Sequence, residues 1–243
     1  MRTLVCSREQ VHQGPLMLVS RAHPLRVPAA PLLEAPDRRH PEVLLESRTA
    51  RLLRACCRAA GGLGEIVPVS GWRSQREQQS IWDETLAAEG EAFTRQYVAL
   101  PGCSEHQTGL AIDLGKAAPE IDFIRPDFPD QGACGAFRRL AARYGFVLRY
   151  GRGKEDRTGI AWEPWHFRWV GPLHAALMAD RGLCLEEYLD LLRETPQRVS
   201  LSGGGMARIF YVPCAGEETR IPVPEARCTV SGDNVGGFIV TAF

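Results

Sequence analysis

Apolar residues fall in short groups along most of this chain, and their spacing switches between helical and strand periods. From Glu42 to Ala60, the pairs Val43 with Leu44, Leu52 with Leu53 and Ala55 with Cys56, followed by Ala59, predict an amphipathic helix closed by Gly61 and Gly62. Glu65 to Ser70 predicts a short strand, and Gln75 to Glu89 a second helix. Leu110 to Leu114 predicts a strand entered through Gly109. Cys134 to Tyr144 puts Phe137, Leu140 and Ala141 on one face and is stopped by Gly145, a helix with a glycine C-cap. Phe146 to Tyr150 reads as a strand, and Gly151 to Gly159 as a polar loop of the kind that borders a cleft. Trp165 to Val170 alternates polar and aromatic residues as a strand does, and Pro172 to Leu192 predicts one or two helices.

The two ends differ from this middle. Pro15, Pro24, Pro28, Pro31, Pro36 and Pro41 remove backbone donors and block helix interiors, so residues 1–40 are expected as an irregular arm packing on the core. After Ser202, Gly203, Gly204 and Gly205, three short strands are expected at Ile209–Val212, Ile221–Val223 and Gly237–Thr241, with a turn at Ser231–Asn234. A piece of about forty residues is below the size that usually folds alone. Residues 201–243 are therefore expected as a β-rich appendage to an α+β domain spanning 41–200.

Lys and Arg total 29, as do Asp and Glu, and this balance argues against a nucleic-acid binder that works through a basic surface. No apolar run approaches the ~20 residues of a transmembrane helix. Leu16 to Val19 is too short for a secretory apolar region of about 7–15 residues. A cytoplasmic location is expected on these grounds, and an extracytoplasmic one if the true start lies upstream of Met1. The eight cysteines show no C-x-x-C spacing, which disfavours a cysteine zinc knuckle and favours reduced, buried thiols. Cys103 lies near the candidate site described next, but a structural role is the stronger expectation for it.

His106, Asp113, Glu163 and His166 carry the most chemistry. His106 and Asp113 are seven apart with Gly109 between them, so a turn there brings both side chains to one point. Glu163 and His166 are three apart, and Pro164 biases Glu163 towards extended backbone. Catalytic zinc sites use three protein ligands and leave a fourth position for water, whose proton needs a base. Two imidazoles, one carboxylate and one spare carboxylate match that inventory. The competing reading has Asp113 capping a turn, Glu163 solvated and His166 packed on aromatics, and spacing alone leaves both open. His12, His23, His40 and His174 have no such company and read as ordinary residues.

The stretch Ser104 to Asp113 has the form Ser-x-His-x-x-Gly-x-Ala-x-Asp, and Glu163-Pro164-Trp165-His166 follows about fifty residues later. Together they resemble the VanY-type D-Ala-D-Ala carboxypeptidases and their dipeptidase and bifunctional relatives of glycopeptide resistance. Ser70-Gly71-Trp72-Arg73-Ser74, with Gln78, resembles a third motif of that family, Trp72 replacing the commoner Tyr. The resemblance covers roughly residues 15 to 175. It implies a small antiparallel sheet flanked by helices and carrying a single zinc site, as in hedgehog-type and D-Ala-D-Ala peptidase folds. It further implies a zinc metallopeptidase hydrolysing D-Ala-D-Ala in peptidoglycan precursors or stem peptides. His106, Asp113 and His166 would be ligands to Zn2+, Glu163 the base and Arg73 the group meeting the oxyanion. Gln78 and Ser104, with Arg73, would contact substrate. Arg168 reads equally as a support behind the site or as strand packing. Three alternatives share the scaffold: an L-Ala-D-Glu peptidoglycan endopeptidase, a dipeptidase acting on free D-Ala-D-Ala, and a zinc-stabilised cell-wall binding module without activity. Intact Glu163 and Arg73 count against the third.

Overall fold

The computed structural model describes residues 1–26, 31–201 and 203–243. In chain order its strands and helices are β1 (Arg2–Ser7), β2 (Leu33–Glu34), β3 (Leu45–Glu46), α1 (Ser47–Ala59), β4 (Ile66–Ser70), α2 (Gln75–Tyr97), β5 (Ala111–Lys116) and α3 (Gly132–Leu140). There follow β6 (Phe146–Leu148), α4 (Glu155–Thr158), β7 (His166–Trp169), α5 (Pro172–Arg181), α6 (Leu185–Glu194), β8 (Gln197–Ser200), β9 (Met206–Pro213), β10 (Glu218–Val223), β11 (Cys228–Gly232) and β12 (Gly237–Ala242). The architecture is α+β with antiparallel sheets, as the sequence implied.

The chain divides into two compact units. The first holds 20–24 and 28–184 and is built on an antiparallel sheet of order β4-β5-β7-β6. Side chains alternate across its strands. Ile112, Leu114, Phe167 and Trp169 enter the core with Leu53 and Cys56 of α1 and Phe137 of α3. Phe167 meets the rings of Phe128 and Phe137 edge-on at 5.4 and 5.0 Å. The opposite face of the same strands carries Asp113, His166 and Arg168, because residues two apart share a face.

The helix ends are specified locally. Glu46 accepts hydrogen bonds from the N–H groups of Arg48 and Thr49 and so caps α1. Ser74 and Glu77 form a reciprocal capping box at the start of α2, which fixes the backbone one residue after Arg73. The second helix was expected to stop near Glu89. It is interrupted at Gly90 and resumes to Tyr97.

The second unit comprises residues 1–19, 25–27 and 185–243. Five strands follow α6 where three were expected, and four of them form a sheet of order β11-β12-β9-β8. β1 precedes the first proline, so the argument for an irregular arm does not reach it. Its six residues pair antiparallel with β10, from Arg2 opposite Val223 to Ser7 opposite Glu218. No helix among the described residues is long and apolar enough to cross a membrane.

Candidate metal centre and active site

Strand register assembles the site. Asp113 on β5 lies directly opposite Ser70 on β4 and opposite His166 on β7. Direct cross-strand neighbours hold their Cβ atoms about 4.5–5.5 Å apart. Two candidate ligands far apart in sequence are thus fixed side by side by the backbone ladder.

His106 comes from a 3-10 turn, Glu105–Thr108, that ends at Gly109 in the left-handed region with φ 73°. A Cβ at Gly109 would also stand 3.1 Å from the Glu46 nitrogen and from Pro31, so this position requires glycine for conformation and for space.

His106, Asp113 and His166 are all buried, and their donor atoms lie within 4.8 Å of one another. His106 Nε2 is 3.1 Å from Asp113 Oδ2, and His166 Nδ1 is 2.9 Å from Oδ1. The two imidazoles stand nearly perpendicular, with centroids 5.0 Å apart. The other nitrogen of His106, Nδ1, is 2.8 Å from the Gly71 carbonyl. A carbonyl only accepts, so Nδ1 carries the proton and Nε2 presents its lone pair. Burial lowers the His106 pKa to about 4, with the nearby Arg73 charge acting in the same direction, so the imidazole is neutral at pH 7. His166 moves the other way. Burial would lower its pKa, but Asp113 and Glu105 outweigh that and raise it to about 9. Burial also opposes ionisation of Asp113, yet the two imidazoles hold its carboxyl well below the usual range.

Glu163 and Arg73 complete the cavity. Glu163 Oε2 lies 3.7 Å from His166 Nδ1. Burial, reinforced by the charges of Asp113 and Glu105, pushes its pKa up to about 8 against the pull of His166 and Arg73. Arg73 donates from Nη2 to Asp113 Oδ2 at 3.2 Å and from Nε to Ser70 Oγ at 2.8 Å. Its third contact runs from Nη1 to Gln78 Oε1 at 3.3 Å. Gln78 is fully buried and its amide also donates to the Ala99 carbonyl. Ser104 lines the cavity with Tyr97, Phe123, Tyr150 and Trp165, around about 40 Å³ of accessible space. A larger cavity of about 340 Å³ is lined by Arg38, Arg39, Arg54 and Arg58. It gathers no cluster of imidazoles and carboxylates, so chemistry rather than size selects the site.

Sequence reasoning missed Glu105 and Arg149. Glu105 is completely buried, accepts from Arg149 Nε at 2.8 Å, and forms an ion pair with Arg168 Nη1 at 3.1 Å. Its only signal was its place between two motif residues, Ser104 and His106. Arg168, left open between support and packing, lies in this buried group.

Two imidazole nitrogens and a carboxylate converging on one point, with a spare carboxylate beside them, are the donor set that catalytic zinc takes. Residues 43–172, which contain His106, Asp113, Glu163, His166 and Arg73, match the model of the VanY family, D-alanyl-D-alanine carboxypeptidase. The chain belongs to this family. It is 43% identical over 183 residues to the bifunctional D-Ala-D-Ala dipeptidase and D-Ala-D-Ala carboxypeptidase VanXYC of Enterococcus gallinarum, covering 74% of this chain and 96% of that one. The crystal structure of the vancomycin resistance D,D-dipeptidase VanXYg, in complex with a D-Ala-D-Ala phosphinate analog, superposes with a TM-score of 0.96 at 43% identity, covering 99% of this chain and 98% of that one. A VanY D,D-pentapeptidase variant in complex with Zn(II) superposes with a TM-score of 0.60 at 32% identity, over 72% of this chain and 98% of that one.

Proposed function

We propose that this VanY-family member is a zinc D-Ala-D-Ala peptidase of the bifunctional kind, hydrolysing the free dipeptide and releasing terminal D-Ala from stem peptides. The observation that carries this reading is the convergence of His106, Asp113, His166, Glu163 and Arg73 on one buried cavity. The likeness to the bifunctional VanXYC over 96% of its length, and to the D,D-dipeptidase VanXYg over nearly the whole chain, supports the bifunctional form.

His106 Nε2, an Asp113 oxygen and His166 Nδ1 would hold the zinc. When bound, the metal supplies Lewis acidity that polarises the scissile carbonyl and makes water easier to deprotonate. Arg73 is anchored by Ser70 and Gln78, so its guanidinium is already in place to meet negative charge developing on the carbonyl oxygen. Glu163 takes the proton of the attacking water and delivers it to the departing amine of the terminal D-Ala. Ser104, on the cavity wall, contacts the substrate's polar end, while Gln78 acts on substrate through Arg73. No covalent intermediate is required. The eight cysteines are free thiols, which supports action on precursors in the reducing cytoplasm. Cell fractionation tests that location.

The decisive experiment is product analysis with D-Ala-D-Ala, a pentapeptide ending in D-Ala-D-Ala and a D-Ala-D-Lac depsipeptide side by side. Free D-Ala from both the dipeptide and the pentapeptide, abolished by a chelator, is expected. Cleavage elsewhere in the stem would refute the reading. Glu163→Ala should still bind zinc while kcat falls by several orders of magnitude, and near-normal turnover would remove Glu163 from its role.

A further inference from the structure

We propose that Glu105 is a positioning residue for the metal centre: its carboxylate takes the Nε2–H of His166 and so commits Nδ1 of that ring to the metal. The inference rests on the reading of His166 as a ligand.

An ionised carboxylate with no exposed surface is costly unless fully paired. Glu105 has a divided environment. Its Oε1 receives Arg149 Nε at 2.8 Å and faces Arg168 Nη1 at 3.1 Å. These two guanidiniums supply the counter-charge that a buried carboxylate needs. Its Oε2 has no hydrogen-bond partner, and neither does His166 Nε2. These two atoms face each other at 3.7 Å. An acceptor and a ring nitrogen, both buried and both unmatched, stand a fraction of an ångström beyond bonding distance. Each is destabilising if left so.

A carboxylate only accepts, so the bond it makes places the proton on Nε2. That leaves the Nδ1 lone pair towards Asp113, where the metal ligands converge. His106 is oriented in the mirrored sense, its Nδ1 held by the Gly71 carbonyl and its Nε2 turned towards Asp113 Oδ2. A purely structural Glu105 would need only the two arginines, both of which approach Oε1. The direction of Oε2 towards His166 is what a structural role does not require.

Two measurements decide this on zinc-loaded, full-length protein. In the wild type, 15N–1H spectra of the histidine rings should show a His166 Nε2–H protected from solvent exchange. Its absence, or metal coordination through Nε2, would overturn the proposal with no variant needed. Second, zinc affinity is measured by chelator competition for Glu105→Gln and for the triple variant E105L/R149M/R168M. The triple variant replaces the charged group by apolar volume and leaves no guanidinium unpaired. For whichever variant keeps the zinc-free melting transition, zinc binding should weaken about 10–100-fold. At saturating zinc, kcat should fall with KM little changed. Wild-type zinc affinity in a folded Glu105 variant overturns the proposal. His166→Ala is the control: zinc retained at wild-type affinity there overturns the ligand assignment and this inference with it. Zinc retained only in the Glu105 variants overturns this inference alone.

Discussion

Gly71 acts through the side chain it lacks. A Cβ at that position would stand 2.2 Å from the Leu44 carbonyl oxygen, which already accepts a 2.6 Å hydrogen bond from the Trp72 N–H. The Gly71 carbonyl in turn fixes the ring of His106. Gly71→Ala must therefore move backbone that orients a candidate ligand. The expected result is a loss of about 1–3 kcal/mol in urea unfolding, together with zinc affinity at least about tenfold weaker in chelator competition. Unchanged zinc affinity would show that the carbonyl does not orient His106. Arg73 offers a second test at this scale. Its planar fork reaches Asp113, Ser70 and Gln78 at once, and a lysine ammonium does not reproduce that geometry. Arg73→Lys should lower kcat by about 10²–10³ with zinc still bound. A variant turning over at the wild-type rate would exclude oxyanion contact by the guanidinium. His106, Asp113, Glu163, His166 and Arg73 were legible in the sequence because chemistry-bearing residues stand in tight motifs there. Glu105 was not. An acid beside a serine reads as solvated, and its depth comes from Arg149 and Arg168, more than forty positions away.

At the scale of elements, most strands and helices of the first unit follow from apolar spacing, but the register that brings Ser70, Asp113 and His166 level does not. A one-residue slip would turn Asp113 from the site face to the core face, and only the packed side chains of Ile112, Leu114 and Phe167 prevent it. Likewise β1 was not foreseen, because its partner β10 lies more than two hundred residues on and no local signal announces that pairing. The helices α1 and α3 carry a testable consequence of the same packing. Burial pushes the thiols of Cys56 and Cys57 up to about 12, reinforced at Cys56 by the Cys57 thiol and at Cys57 by Asp37 and Cys134, and that of Cys134 up to about 11. Only the thiolate reacts, so at pH 8 its fraction at these positions is about 10⁻³ or less. Iodoacetamide should modify these three cysteines in the native protein only as the fold opens, and promptly in urea, as peptide mapping by mass spectrometry would record. Rapid native labelling of Cys56 or Cys134 would contradict the packing of α1 and α3 on the sheet.

For the molecule as a whole, a metal held by the three candidate ligands would tie together segments that the sheet alone does not hold. His106 sits on a short 3-10 turn, Asp113 on a central strand and His166 on the next, and only the last two share a ladder. An ion that needs all three binds the folded chain and not the unfolded one, so it stabilises by linkage. At free zinc a hundredfold above its dissociation constant, the gain is about 2.7 kcal/mol. In a chain of this size each kcal/mol moves the midpoint by about 2–4 °C, so removing zinc should lower the melting temperature by about 5–10 °C. The three ligands all belong to the first unit, whose sheet carries the site; the second unit, with β1, α6 and β8 to β12, contributes none. Calorimetry with and without chelator should therefore show the loss in the transition of the first unit. Added zinc should restore it and magnesium should not, since magnesium prefers oxygen ligands to imidazole. His166→Ala should melt at the chelated temperature whether or not zinc is present. If zinc-saturated and chelated protein melt together, the ligand set does not bind metal in the folded chain, and the peptidase reading loses its electrophile.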